Sequence, residues 1–310
     1  MKEKKALVIS GGGSWGAWGG GVIEALVKCS GRDYDLVVGS STGSILSSLS
    51  SIGDVDRLKD AYTSVTQEDI FDVNPFNKDG SINMFNAVKR IVLLNPLMKI
   101  FGKDIVTLGE SNQLRNTIKR FFSEKDFDKL KSSGKEVSIA VVNNNTEKAE
   151  MKSSKDGDYE DLVDWIWASA CAPVFMTLVK KNGNEYVDGG IVEHIPIQDA
   201  IDKGATDIDV IVHRQSEYKE YPEYKSKNIL DLFMKVIDVM HKEISKNDIS
   251  ISKLRAKDED VVINFYYTPK QLSENSLIFD KETMTEWWEK GFKEVKDESF
   301  EKKTVFLKRK

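Results

Sequence analysis

The residues with the most chemical promise lie near the start of the chain. Ser41 stands in Gly39-Ser40-Ser41-Thr42-Gly43, which has the form G-x-S-x-G. A serine hydroxyl is a weak nucleophile at neutral pH and needs a base beside it. It also needs donors aimed at the oxygen that turns negative in a tetrahedral intermediate. G-x-S-x-G answers the geometric part, because it carries the serine on a tight strand-to-helix turn that exposes its oxygen. Residues 36–38 read as a short strand before the motif, and a helical pattern follows it. Ser41 would then sit at a helix N-terminus, where N–H groups and the helix dipole favour negative charge. Gly39 and Gly43 give the elbow its room.

Upstream is Ser10-Gly11-Gly12-Gly13-Ser14-Trp15-Gly16. Gly11, Gly13 and Gly16 match the dinucleotide pattern G-x-G-x-x-G, which expects an acidic residue at the end of the following strand. That strand instead runs into the Ser41 motif, with Asp33 and Asp35 before it. A second reading is an oxyanion hole built from consecutive N–H groups. The third is a plain tight turn, although three successive glycines exceed what packing alone requires. The base has several candidates. His194, His213 and His241 are the only histidines. His241 falls among Lys235, Lys242 and Lys246 on an amphipathic pattern and reads as surface, whereas His213 ends an apolar strand. Asp188, in Asp188-Gly189-Gly190, is the alternative. A carboxylate near pKa ~3.9 is a weak base. It still accepts the serine proton when transfer is concerted with attack. The competing reading of Asp188 is an ordinary Asp-Gly turn.

These groups need a scaffold that brings distant loops together. Strand–helix–strand–helix over residues 6–51 predicts a parallel sheet with crossover helices. Further strands are expected at 137–142, 149–152, 185–187, 208–213 and 261–267. Helices are expected at 54–65, 110–122, 159–170, 197–203, 229–244 and 281–292. At 310 residues the chain is long enough for a substantial core. A net charge of −5 argues against nucleic acid as a partner. Two cysteines make no disulfide framework, which points to a reducing compartment. The basic start has too short an apolar run for a signal peptide, and no stretch reaches the ~20 apolar residues that span a bilayer. The basic tail, residues 302–310, reads as a solvated end. No Cys/His/Asp cluster has metal-ligand spacing, so neither metal nor cofactor is expected.

Four motifs in order resemble the patatin-like phospholipases: the glycine loop at 11–16, G-x-S-x-G at 39–43, Ala168-Ser169-Ala170-Cys171-Ala172-Pro173-Val174-Phe175, and Asp188-Gly189-Gly190 followed by Pro196. The resemblance spans about residues 5–200. It implies an α/β fold, three-layer α/β/α with a central mostly parallel sheet, and lipid acyl hydrolysis by a Ser–Asp dyad without histidine. Carried onto this chain, it makes Ser41 the nucleophile, Asp188 the base, and Gly11, Gly12 and Gly13 the oxyanion loop. The family usually has Asp, Arg and Asn where Ser10, Trp15 and His194 stand.

One domain over residues 1–310 is expected, with 205–310 completing the fold. The expected substrate is a phospholipid or other acyl lipid, met in the cytoplasm and at the periphery of membranes. Trp15 and Trp18 flank the loop, and at least one should be buried. Residues 85–106 mix apolar and basic side chains; they read as an ordinary amphipathic cap helix packed on the domain, or else as a cap over the acyl site or an interfacial element. Trp165 and Trp167 read as core. Two other functions fit the residues: a non-catalytic lipid- or partner-binding module on the same fold, and a histidine-dependent carboxylesterase.

Overall fold

The computed structural model of the chain describes residues 3–100, 105–216, 229–273, 275–297 and 302–305. Its strands are β1 (Lys5–Ile9), β2 (Leu36–Ser40), β3 (Glu136–Asn143), β4 (Lys148–Ser153), β5 (Val179–Lys181), β6 (Asn184–Asp188), β7 (Asp207–Val212), β8 (Val262–Tyr267) and β9 (Lys302–Val305). They form one nine-stranded sheet in the order β5-β6-β3-β2-β1-β7-β8-β9, with β4 also on β3. The pairs β1–β2, β1–β7, β2–β3 and β7–β8 are parallel. The pairs β3–β4, β3–β6, β5–β6 and β8–β9 are antiparallel.

Alternate residues of the central strands feed two separate cores. Leu7, Ile9, Val37, Ile139 and Val141 belong to one. Its helices include α1 (Gly16–Lys28) and α2 (Thr42–Ser51). Ala6, Val8, Leu36, Val38, Ile208 and Val210 belong to the other, where Ile197, Ala200 and Ala256 cover them from helices Ile197–Asp202 and Ile229–Glu259. Period-two alternation with apolar residues on both faces is what a sheet buried on both sides requires. The architecture is therefore three-layered, α/β/α, around a mixed and mostly parallel sheet.

Helix α1 explains a glycine run that the chemistry does not use. Helix Lys281–Lys296 lies against it. A Cβ on Gly20 would come within 2.0 Å of the Trp288 ring, and one on Gly21 within 2.0 Å of the Trp288 carbonyl oxygen. The two helices are also tied reciprocally. Trp288 Nε1 donates to Glu24 at 2.6 Å, and Trp18 Nε1 to Glu294 at 2.8 Å. Each helical glycine costs about 1 kcal/mol relative to alanine. Full burial of a large apolar side chain returns roughly 1.5–3 kcal/mol, and both Trp18 and Trp288 are completely buried.

Several elements depart from expectation. The helix expected at 229–244 continues to Glu259. Its inner stripe there is Ser245, Ile249, Ser252 and Ala256, so Ile249 is the one strongly apolar residue in it and the hydrophobic signal is weak. Strand β5 and helix Glu124–Ser132 were not anticipated. The tail is not simply solvated, because Lys302–Val305 pairs with β8; residues 306–310 lie outside the described residues.

Residues 85–106 do not form the expected amphipathic cap with its apolar side packed inward. Short helices Met84–Val88 and Asn95–Ile100 flank a π-helical stretch, Lys89–Leu94. Phe85 is 77% exposed and Ile100 76%. Residues 101–104 of that segment lie outside the described residues.

A substitution tests the helix contact. On a free helix Gly21→Ala would stabilise, whereas against the Trp288 carbonyl it overpacks, at a cost of typically 1–3 kcal/mol. We expect Gly21→Ala to lower the thermal midpoint by several degrees in calorimetry. A raised midpoint would contradict the packing described here.

Candidate active site

The carboxyl ends of the parallel strands β1, β2 and β7 lead into the residues of interest: the glycine loop, Ser41 and His213. This is the end of an open α/β sheet where ligands bind. Strand β2 covers β3 as far as Ser40, opposite Ala140. Strand β6 then takes over the same edge, with Asp188 opposite Val141; the other edge of β3 is filled by β4. The two strands thus meet end to end, and residues 41 and 188 become neighbours.

Ser41 Oγ donates to Asp188 Oδ2 at 2.6 Å. Ser41 itself has φ 55° and ψ −124°, a conformation costly for a non-glycine residue. Its surroundings hold it there. Ser41 N–H donates to Ser169 Oγ at 2.9 Å, and Ser44 Oγ donates to the Ser41 carbonyl at 2.6 Å. The turn is tight enough to need the flanking glycines: a Cβ on Gly43 would lie 2.2 Å from the Ile9 carbonyl oxygen, and one on Gly39 would lie 2.3 Å from that of Gly43.

Asp188 is buried. Its Oδ1 accepts from Gly190 N–H at 2.7 Å, and its own N–H donates to the Cys171 carbonyl at 3.1 Å. Burial pushes its pKa up to about 6, against the opposing pull of the Ser41 and Gly190 hydrogen bonds. A carboxyl tuned this way is ionised at neutral pH yet far more basic than a surface aspartate. The block at 168–175 turns out to hold both partners, through Ser169 and Cys171. Its small polar residues gave no direct sign of that role.

The glycine loop passes close to the serine. A Cβ on Gly11 would lie 3.2 Å from the Ser41 Cβ. The Gly11 N–H is already committed, donating to the His194 carbonyl at 3.1 Å. Among the described residues the N–H groups of Gly12 and Gly13 have no acceptor. Ser14 N–H donates to the Ser276 carbonyl at 2.8 Å, and Trp15 Nε1 to Ser273 Oγ at 2.8 Å, so a late segment of chain clamps the far side of the loop. Both Trp15 and Trp18 are buried, as is Trp165, while Trp167 is half-buried.

All three histidines lie nearby, and none is the acceptor of the Ser41 hydroxyl. His213 Nδ1 lies 3.1 Å from Ser10 Oγ, and burial lowers its pKa to about 4. His194 is buried and stacks on His241 with 5.0 Å between ring centroids. Burial drives the His194 pKa well down and that of His241 to about 4. The expected surface position of His241 is therefore corrected: its ring is half-buried and packs on that of His194.

Beside α2 lies a largely apolar cavity, lined by Ile45, Leu49, Leu58, Ile118, Phe122 and Phe279 among others. Ile45 is one helical turn from Ser41. Among the described residues no helix is long and apolar enough to cross a membrane.

Comparison with known proteins gives a family. The crystal structure of VipD from Legionella pneumophila resembles this chain at a TM-score of 0.47 and 13% identity, covering 99% of this chain and 68% of that one. A type III effector protein, ExoU, resembles it at 0.40 and 11%, covering 98% and 55%. Neither likeness is close enough to bear on substrate or partners. No curated protein sequence matches the chain. The family model for patatin-like phospholipases matches residues 7–201, well over half of the sequence. The chain belongs to the patatin-like phospholipase family, whose members are lipid acyl hydrolases.

Proposed function

We propose that the protein hydrolyses acyl ester bonds of phospholipids or related acyl lipids through an acyl-enzyme on Ser41, with Asp188 as the only base. The observation that carries this reading is the 2.6 Å hydrogen bond from Ser41 Oγ to a buried carboxylate. Ser41 Oγ attacks the ester carbonyl carbon while its proton passes to Asp188. The tetrahedral oxyanion takes the free N–H groups of Gly12 and Gly13. Gly11 contributes space rather than a donor, since its N–H is held by His194. Collapse breaks the bond to the alcohol, and Asp188 returns the proton to that leaving oxygen. Water then attacks the acyl-enzyme, giving one proton to Asp188; the fatty acid departs and Ser41 Oγ recovers its proton. The apolar cavity beside α2 suits the acyl chain.

An exposed apolar face also fits lipid. Phe85, Ile91, Leu93, Leu97 and Ile100 are each more than half exposed. Contiguous exposed apolar surface of this kind marks an interaction site, and we assign it to contact with aggregated substrate.

Kinetics test the dyad. Ser41→Ala and Asp188→Asn should each lower kcat on a soluble ester by at least about 10³-fold, and Ser41→Ala should end labelling by a fluorophosphonate. A variant of His241 should keep most activity; its loss on a scale equal to Asp188→Asn would favour the histidine-dependent esterase. Failure of the wild type on every acyl lipid, without labelling, would favour the binding module.

Acidity gives an independent check. Because the base form of Asp188 is required, kcat/KM should fall about tenfold per pH unit below about pH 6. The same carboxyl weakens the fold when charged. Its folded pKa of about 6 lies above the ordinary 3.8, so above pH 6 the buried charge costs about 3 kcal/mol, and below pH 4 it costs nothing. Asp188→Asn should therefore be inactive yet more heat-stable than wild type at pH 8. That advantage should shrink between pH 6 and 4; a constant difference across this range would contradict the assignment.

For the apolar face, Phe85→Ser with Leu93→Ser should reduce activity on phospholipid vesicles several-fold more than on a soluble ester. Equal losses on both would remove the interfacial role.

A further inference from the structure

Gly16 closes the glycine loop but has no part in the chemistry proposed above. A Cβ there would lie 2.6 Å from Thr42 Oγ1 and closer still to the Tyr62 hydroxyl oxygen. This glycine makes room for a pair of hydroxyls. Tyr62 stands on helix Val55–Ser64, and both it and Thr42 are buried. The Tyr62 ring packs against Trp288, with 6.4 Å between centroids, and lines the apolar cavity beside α2.

The Tyr62 hydroxyl joins the two halves of the site. It donates to the Gly13 carbonyl at 2.6 Å, and its oxygen is also hydrogen-bonded to Oγ1 of Thr42, the residue after Ser41. A phenol has one proton and a carbonyl can only accept. The Tyr62 proton is therefore spent on Gly13, and Thr42 donates to the Tyr62 oxygen. Burial pushes the Tyr62 pKa well up, so the phenol keeps that proton at neutral pH. The bond falls where the loop needs it. Gly13 has φ 53°, and glycine visits either sign of φ about equally. The Gly13–Ser14 peptide is held at its oxygen by Tyr62 and at its nitrogen by the Ser276 carbonyl. The Gly12 carbonyl accepts from Trp15 N–H at 3.0 Å. In a trans peptide the C=O and N–H point in opposite directions, so the Gly13 N–H is aimed away from Trp15. Both peptides that flank Gly13 are thus pinned.

We propose that Tyr62 is a positioning residue, whose hydroxyl ties Gly13 to the Ser41 elbow so that the nucleophile and the oxyanion donor keep one geometry. Oxyanion stabilisation depends on donors being in place before charge develops. Ring and hydroxyl divide the work: the ring lines the cavity suited to the acyl chain, and the hydroxyl holds the loop. Removal of the hydroxyl alone therefore acts on the transition state rather than on substrate binding. The catalytic consequence rests on the hydrolase reading, but the hold of Tyr62 on Gly13 stands or falls without turnover.

Tyr62→Phe keeps the ring and deletes the hydroxyl. On a soluble p-nitrophenyl ester its kcat should fall about 10–100-fold, with KM within about twofold of wild type. The acid limb of kcat/KM should stay near pH 6, because Asp188 is untouched. Affinity for a trifluoromethyl ketone, whose adduct with Ser41 carries the oxyanion, should fall by the same factor as kcat/KM. Gly16→Ala crowds the hydroxyl from the loop side and should reproduce the loss with Tyr62 intact; should Tyr62→Phe fail to fold, it gives the same comparison. An unchanged kcat, a loss carried by KM, or an acid limb that moves with the loss would each overturn the proposal. Amide exchange followed by NMR reads the contact without turnover. Ser14 N–H should exchange at least about tenfold faster in Tyr62→Phe, and Val38 N–H in β2 at its wild-type rate. An unchanged Ser14 rate would overturn the positioning role. Faster Ser14 exchange in a protein that hydrolyses no ester would keep the hold on Gly13 and sink the hydrolase reading.

Discussion

Two strands share one edge of β3 and meet there end to end. Strand β2 stops at Ser40 and β6 stops at Asp188, on adjacent residues of β3. Because β6 is antiparallel, its last residue rather than its first arrives at the junction. Strand spacing is fixed by backbone hydrogen bonds, so the distance between the two chain ends varies little. Everything at the site inherits that constraint. Ser41 leaves β2 in a strained turn and Asp188 leaves β6 into the turn of Gly189–Ile191. The block at 168–175 supplies a hydroxyl to one backbone and a carbonyl to the other. A short, directional contact between a serine and a carboxylate is then a property of the sheet rather than of two flexible side chains.

The same rigidity fixes the surroundings that set the acidity of that carboxyl. Aspartate in water is too acidic to hold a proton at pH 7. Burial raises the energy of its charged form, and two hydrogen bonds keep the rise moderate. No imidazole is required for that tuning, and the histidines nearby are neutral through burial and occupied by packing. His213 braces Ser10 and Gly12, and His194 passes its carbonyl to Gly11. They shape the loop that the serine faces.

Local signals carried much of this architecture. The elbow at Ser41, the loop at Gly11–Gly13 and the turn at Asp188 each have a residue pattern dictated by backbone geometry, and the parallel sheet followed from the strand–helix–strand–helix order at the start of the chain. What the sequence concealed depends on partners far along the chain. Nothing local explains Gly20 and Gly21 inside a helix, because the reason for them, Trp288, lies more than two hundred residues away. The long helix runs past its expected end because, apart from Ile249, its later inner stripe is serine and alanine. His241 was placed outside because its lysine neighbours said nothing about the stacking of its ring on His194. The commitment of the Gly11 N–H to His194 depends on the path of a loop, which no spacing rule specifies. Residues 85–106 admitted both inward packing and an interfacial element on their amphipathic pattern, and among the described residues Phe85, Ile91, Leu93, Leu97 and Ile100 face out.

The clamp on the glycine loop has a consequence for how the protein is made. Ser14 and Trp15 are fastened by Ser276 and Ser273, and α1 is closed by Trp288. Contacts of such long sequence separation form slowly, and domains emerge from the ribosome N-terminal end first. The loop and Ser41 are synthesised more than two hundred residues before the segment that moulds the loop. Until that later segment folds back, the glycine loop lacks the contacts at Ser14 and Trp15 that shape it.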